Sequence, residues 1–211
     1  MREIHMLKKL IGLTLLVSMT SGVLATSAQA DAAKPGQSMT HMKTEKGISS
    51  TLEAAGIVLY VQGGATAAVM GDSISSADAQ VVFHIPITGT KTGVEHVGSN
   101  IAIFNTTNNS QVLIKNPVID LKKAVVNAVI PQVGSQPVAL FTITNVKDLK
   151  AKVTNDRKAK LRTTSYDGVK LSLAPGVAAT LVTALGLPAG ALPEGLAFAS
   201  ASVSLYSPIK K

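Results

Sequence analysis

The side chains able to do chemistry are few and scattered. The 211 residues contain no cysteine, which excludes a disulfide framework, a thiolate metal site and a cysteine nucleophile. After residue 30 the histidines are His41, His84 and His96, and none stands at metal-ligand spacing from another. No Asp-x-Asp-x-Asp run offers a calcium loop. The nucleophile elbow, the phosphate loop, the His-Glu-x-x-His helix and the dinucleotide fingerprint are all missing. Glu95-His96 is the one acid–histidine neighbour pair, and adjacent residues of a strand point to opposite faces. The sequence therefore predicts a protein that is not an enzyme and has no metal site.

Two sets of residues point to binding instead. Tyr and His hold haem iron in several protein classes, so Tyr60, Tyr166, His84 and His96 are the candidates for a porphyrin-type or other apolar ligand. Each also has a plainer reading. Tyr60 lies in an apolar strand, where tyrosines commonly pack, and His84 in Val82-Phe-His-Ile85 suits a strand residue facing solvent or a partner. The second set is a basic cluster: Lys147, Lys150, Lys152, Arg157, Lys158, Lys160 and Arg162. A basic face of this kind meets acidic envelope polymers or lipid headgroups, or simply keeps the domain soluble. Nucleic acid is not expected, since Tyr166 is the one aromatic nearby for base stacking. Tryptophan is absent and aromatics are 3% of the chain, which also lowers the case for sugar stacking.

The elements that must position these residues are mostly strands. Residues 1–30 read as a cleavable secretory signal: Arg2, Lys8 and Lys9, an apolar stretch from Leu10 to Leu24, then Ala28-Gln-Ala30. The apolar stretch is short for a spanning helix, and no transmembrane segment is expected after cleavage. The protein is thus expected outside the cytoplasmic membrane, secreted or held in the envelope. The net charge of the whole chain is +8. Residues 31–47, small and polar, predict a flexible leader, and 48–211 a single β-rich domain. Ser49–Ala55 predicts a short helix capped by Ser49 or Ser50 and ended by Gly56. Ile57–Val61, Gln80–Ile85, Ile101–Phe104, Gln111–Ile114, Val138–Ile143 and Phe198–Tyr206 predict strands, with 101–114 a hairpin. Pro86 marks an edge or an end. Residues 117–130 fit helix and strand equally well. Gly176–Leu185 predicts a helix capped by Gly186. Short strands with turn signals between them predict an antiparallel sandwich or barrel with one or two short helices.

The order of segments carries a resemblance. Phe83-His-Ile-Pro-Ile-Thr-Gly89 is followed by Gly93-Val-Glu-His-Val-Gly98 and Ile101-Ala-Ile-Phe104. Then come Val112-Leu-Ile-Lys-Asn-Pro-Val-Ile-Asp120, Val138-Ala-Leu-Phe141 and Leu171-Ser-Leu173 with its proline-led alanine helix. This pattern resembles secreted actinobacterial-type proteins of unknown function and, more distantly, the HtaA domain of haemin-uptake proteins. It implies an extracellular β-sandwich-like domain and two strands within 112–130. Haem-binding members open with a Trp-Gly segment and a helix that supplies a ligating Tyr. This chain has no Trp, Ser49–Ala55 holds no Tyr, and only His96 fits a recognisable position. The first reading is accordingly a secreted, non-catalytic module with a structural, adhesive or ligand-holding role. Haem binding stands as the alternative, and a secreted hydrolase comes third.

Overall fold

A computed structural model describes residues 37–209. The expected signal peptide lies outside the described residues, as does the start of the expected leader. In chain order the elements are β1 Met39–Thr44, α1 Ile48–Ala54, β2 Ile57–Gly63, β3 Thr66–Met70, β4 Gln80–Pro86, β5 Val94–Glu95, β6 Ser99–Asn105 and β7 Gln111–Asp120. They continue with β8 Val125–Val129, β9 Pro137–Ile143, β10 Lys152–Asp156, β11 Leu161–Leu173, α2 Val177–Leu185 and β12 Ala197–Pro208.

The strands form one twelve-stranded antiparallel sheet in the order β2-β6-β7-β8-β9-β11-β12-β1-β4-β3, with β10 added to β11 and β5 to β7. The two strands at the ends of this path, β2 and β3, are consecutive in the chain and joined only by Gly64 and Ala65. The sheet therefore rolls round until its ends meet, and the result is a nearly closed barrel. Gly63 makes the junction feasible. Its φ is 73°, and a Cβ there would lie 2.0 Å from the Gly98 carbonyl oxygen, to which the Gly64 N–H donates at 3.0 Å.

Strand alternation fills the interior. On β12, Ala199, Ala201 and Val203 are buried while Ser200, Ser202 and Ser204 face outward. On β4, Val81, Phe83 and Ile85 point in. With so few aromatics, Phe83, Phe141 and Phe198 fill the centre. The last two stack at 5.3 Å between centroids, and Leu181 of α2 lines the same space.

Residues expected in the flexible leader are instead part of this sheet. Met39–Thr44 form β1, which pairs with β12 on one side and β4 on the other. Met42 and Thr44 are buried, and the Thr44 hydroxyl accepts from the Val81 N–H at 2.9 Å. A polar, small-residue segment is ordered here because two neighbouring strands satisfy its backbone. The helix α1 is where the sequence places it, but its cap differs. Gly47, in the left-handed region, occupies the N-cap with no side-chain hydrogen bond. Ser49 is turned inward beside the Thr44 hydroxyl at 3.1 Å, and the Ser50 hydroxyl donates to the Gly47 carbonyl. Residues 117–130 are strands on either side of a turn, as the resemblance implies. β3 has no counterpart in the sequence reading.

The polar turn after β6 holds α2 in place. Asn105 Nδ2 (2.8 Å), Asn108 Nδ2 (2.9 Å) and the Ser110 hydroxyl (2.8 Å) all reach the Leu185 carbonyl at the C-terminus of α2. A helix end leaves such carbonyls without an internal partner. Asn105 is 3% exposed. Asn105→Ala is expected to cost about 1 kcal/mol, the usual net worth of a hydrogen bond, since Asn108 and Ser110 still reach the Leu185 carbonyl while the buried amide's own bonds are lost. The exposed Asn108→Ala should cost less. Urea midpoints of the two variants against the parent check the order. Asn105 and Asn108, which match the N-glycosylation pattern in sequence, use their amide nitrogens in this contact.

Candidate functional site

One end of the barrel carries a cleft of about 420 Å3. Three segments make it. The first is the turn before β5, with Thr90, Lys91, Thr92 and Gly93; the second is the end of β7 and the following turn, from Ile119 to Lys123; the third is Tyr166 with Leu205. The β5–β7 pairing, Val94 with Ile119, brings the first two together. Gly93 permits the approach: at φ 151° it lies so close to β7 that a Cβ would stand 2.6 Å from the Ile119 carbonyl oxygen.

Local hydrogen bonds fix both turns. Glu95 accepts from the Thr92 N–H at 2.8 Å and from the Thr92 hydroxyl at 2.7 Å. These bonds, the hydroxyl's first, hold the Glu95 carboxyl below the usual range. Asp120 Oδ1 accepts from the Lys122 and Lys123 N–H groups at 3.0 Å each, and Lys123 Nζ lies 3.9 Å from Asp120 Oδ2. The third segment is set by a bulge. Tyr166 pairs with Val203 and Val169 with Ala201, so Asp167 and Gly168 are extra opposite Ser202. Tyr166 and Val169 therefore both face the interior, although they are three residues apart. Asn145 clamps the bulge, donating to the Gly168 carbonyl at 2.8 Å and accepting from the Lys170 N–H at 2.9 Å.

The resulting surface has two halves. Val94, Ile119, Leu121, Leu205 and the Tyr166 ring make an apolar floor. Lys91, Lys122 and Lys123, all exposed, stand at the rim with Asp120. Of the residues singled out in the sequence, only Tyr166 borders this cleft. The three lysines and Leu121 and Leu205 went unnoticed. The signal was thin: a Lys-Lys pair after Asp120, and a lysine in a turn about 30 residues earlier in the chain. Only the β5–β7 pairing unites them.

The other candidates lie elsewhere. His96 is 1% exposed, and both ring nitrogens are engaged. Pro117 carbonyl lies 2.8 Å from Nδ1 and Thr40 Oγ1 lies 2.8 Å from Nε2. A carbonyl only accepts, so Nδ1 carries the proton and Nε2 accepts from the Thr40 hydroxyl. Burial lowers the pKa of His96, partly opposed by the bond to Pro117. The neutral ring thus ties β1 to the irregular stretch of β7 at Asn116 and Pro117. The cavity beside it is about 30 Å3, room for water and not for a porphyrin. His84 faces outward from β4, and Tyr60, 36% exposed, faces outward from β2. The four candidate haem ligands are dispersed over interior, mouth and outer wall, so they do not fit one haem.

The basic cluster is also resolved. β10 pairs with the first half of β11 alone, which makes an arm with the end of β12. Lys152 pairs with Ser165 and Asn155 with Arg162, so Lys152 and Arg162 are on opposite faces of the arm. Arg157, Lys158 and Lys160 gather at its exposed tip. The seven residues are exposed but do not form one face. Among the described residues, no helix is long and apolar enough to cross a membrane.

No protein-family model matches the chain, and no curated protein matches it. Among solved structures the chain is similar to the crystal structure of the C-terminal domain of HtaA from Corynebacterium glutamicum, at 12% identity and a TM-score of 0.37. The match covers 81% of this chain and 99% of that one. The chain is thus distantly similar to the HtaA domain, as the order of its segments suggests. No residue correspondence is taken from a likeness this remote.

Proposed function

We propose that the protein is an extracellular, non-catalytic module that holds an amphipathic anion at the mouth of its barrel. The observation that carries this reading is the pairing of an apolar floor with three lysines in one cleft. A ligand with an apolar body and a carboxylate or phosphate would gain from both halves. The floor removes apolar surface from water, and the ammonium groups meet the charge. Secretion rests on the signal-like first thirty residues. Contact with acidic envelope polymers would fall to the tip of the arm, at Arg157, Lys158 and Lys160.

The test is a titration of the purified protein with a fluorescent long-chain fatty acid and, separately, with haemin. Saturable fatty-acid binding is expected. Reversing two rim charges, Lys122→Glu with Lys123→Glu, should weaken it about tenfold or more, since each reversed charge opposes the ligand at close range. Unchanged affinity in that variant, or no saturable binding by the parent, would sink the reading. A haemin absorption change that Tyr166→Ala removes, with no fatty-acid binding, would replace it by the haem alternative.

A further inference from the structure

The structure brings together two histidines that the sequence keeps far apart. His41 of β1 and His84 of β4 are direct cross-strand partners, 43 residues apart in sequence. Their Nδ1 atoms lie 2.7 Å from each other, and the rings meet edge to face at 86° with centroids 4.7 Å apart. Both point to the outer wall of the barrel, each half-buried, away from the mouth and from the interior. Flanking positions on the same row are Thr66 of β3, opposite His84, and Ser202 of β12, opposite His41.

We propose that His41 and His84 form a two-histidine site for a first-row transition-metal ion of the imidazole-binding class, Cu2+, Ni2+ or Zn2+. The contact already converges the right atoms. Metal–nitrogen bonds of about 2.0–2.1 Å put two ligand nitrogens about 2.9 Å apart at a right angle and about 3.3 Å apart at the tetrahedral angle. The pair therefore has to open by only a few tenths of an ångström, within the reach of small side-chain rotations.

The protonation state suits the site. One ring donates from Nδ1 and the other accepts, so at least the accepting ring is neutral in this contact; two imidazolium rings would set N–H against N–H. Burial lowers the pKa of both, and for His41 the neighbouring His84 adds to it. On metal binding the donor ring loses its Nδ1 proton, to its own Nε2 if the ring is neutral and to solvent if it is charged, and each Nδ1 then offers a lone pair. Thr66 and Ser202, small hydroxyl residues, flank the pair by register, and Asp167 in the bulge opposite Ser202 is the nearest acid by register. Lys43, two residues along the same face from His41, is the opposing charge.

The experiment is a titration of the purified protein without residues 1–30 with Cu2+, followed by calorimetry and by the nitrogen hyperfine pattern in electron paramagnetic resonance. One saturable equivalent with two imidazole nitrogens is expected. His41→Gln and His84→Gln should each weaken it about tenfold or more, since losing even a group that only hydrogen-bonds to a metal ligand costs that much. Each should also reduce the pattern to one nitrogen. Urea midpoints confirm that the variants are folded, and Gln retains a polar group on the wall. Absence of a saturable equivalent, or a site unaffected by both glutamine variants, overturns the proposal.

Discussion

Replacing His96 by alanine is expected to lower the unfolding free energy by about 3 kcal/mol, from the cavity it opens and the hydrogen bonds it removes. The ring is sealed from water, and its loss enlarges an existing apolar cavity lined by Met42, Ile85, Ile101 and Leu140. Thr40, 2% exposed, then keeps a buried hydroxyl without the imidazole partner. The Pro117 carbonyl retains the His96 backbone N–H at 3.1 Å, which limits the damage on that side. A urea series reads the effect directly. A loss under about 1 kcal/mol, the size of an ordinary surface substitution or less, would mean that the bridge between β1 and β7 is incidental.

The same residue gives the stability a pH dependence of definite sign. Folding lowers the pKa of His96 below its ordinary value of 6.5. Below that pH the unfolded chain takes up a proton that the folded chain resists. Stability is therefore fully present above about pH 6.5 and lost as pH falls, with a slope approaching about 1.4 kcal/mol per pH unit. His41 and His84 shift in the same direction but are more exposed, so their share is smaller. Unfolding midpoints between neutral and mildly acid pH should fall in the parent and fall less steeply in His96→Ala. Equal slopes would show that the proton is taken up elsewhere.

Phe83→Ala is the other large effect. Phe83 is fully buried and lines the centre of the barrel with Phe141, Phe198 and Leu181. Truncating a buried phenylalanine typically costs about 3–5 kcal/mol. Domains have about 5–15 kcal/mol in all, so the variant should be near the edge of folding. Phe141 and Phe198, stacked on each other at 5.3 Å, already fill their own share of this centre, so closing the space would mean breaking that pair. Tyr60→Ala, on the outer face of an end strand, should cost far less. Thermal melts of the two, run side by side, test whether the interior or the aromatic count governs stability.

These expectations show what the sequence could carry. Alternation of Ser with Ala and Val in 198–206 specified a half-buried strand, and the proline-led, glycine-ended stretch at 175–186 specified α2. Both signals are local. Met39–Thr44 are not legible as a strand because they lack a strong pattern of their own and are ordered by β4 and β12, of which the nearer begins at Gln80, well beyond any local signal. β3 was invisible for a similar reason: Thr66-Ala-Ala-Val-Met70 is short and small, and only its pairing with β4 makes it a strand. The site was harder still. His96 could be picked out as unusual, but whether its nitrogens were free depended on Thr40 and Pro117. Lys91, Lys122 and Tyr166 share a cleft because of a two-residue strand and a bulge, features that leave almost no mark on a single sequence.

The position of β1 has a mechanical consequence. Met39 pairs with Ser204, and the Tyr206 N–H donates to the Ser38 hydroxyl at 2.9 Å, so the two limits of the described chain leave the barrel side by side. A load applied between residues 37 and 209 would act on the adjacent ends of two antiparallel neighbours. It would open their ladder like a zip, one hydrogen bond after another, beginning at Ser38 and running toward Thr44. Such a geometry yields at low force, whereas strands pulled lengthwise past each other must break their bonds together. Anchored through one of these ends, the barrel would bear load without strain on this ladder. Anchored through both, it would begin to come apart at β1, the strand that carries His41 and holds the Thr40 contact to His96.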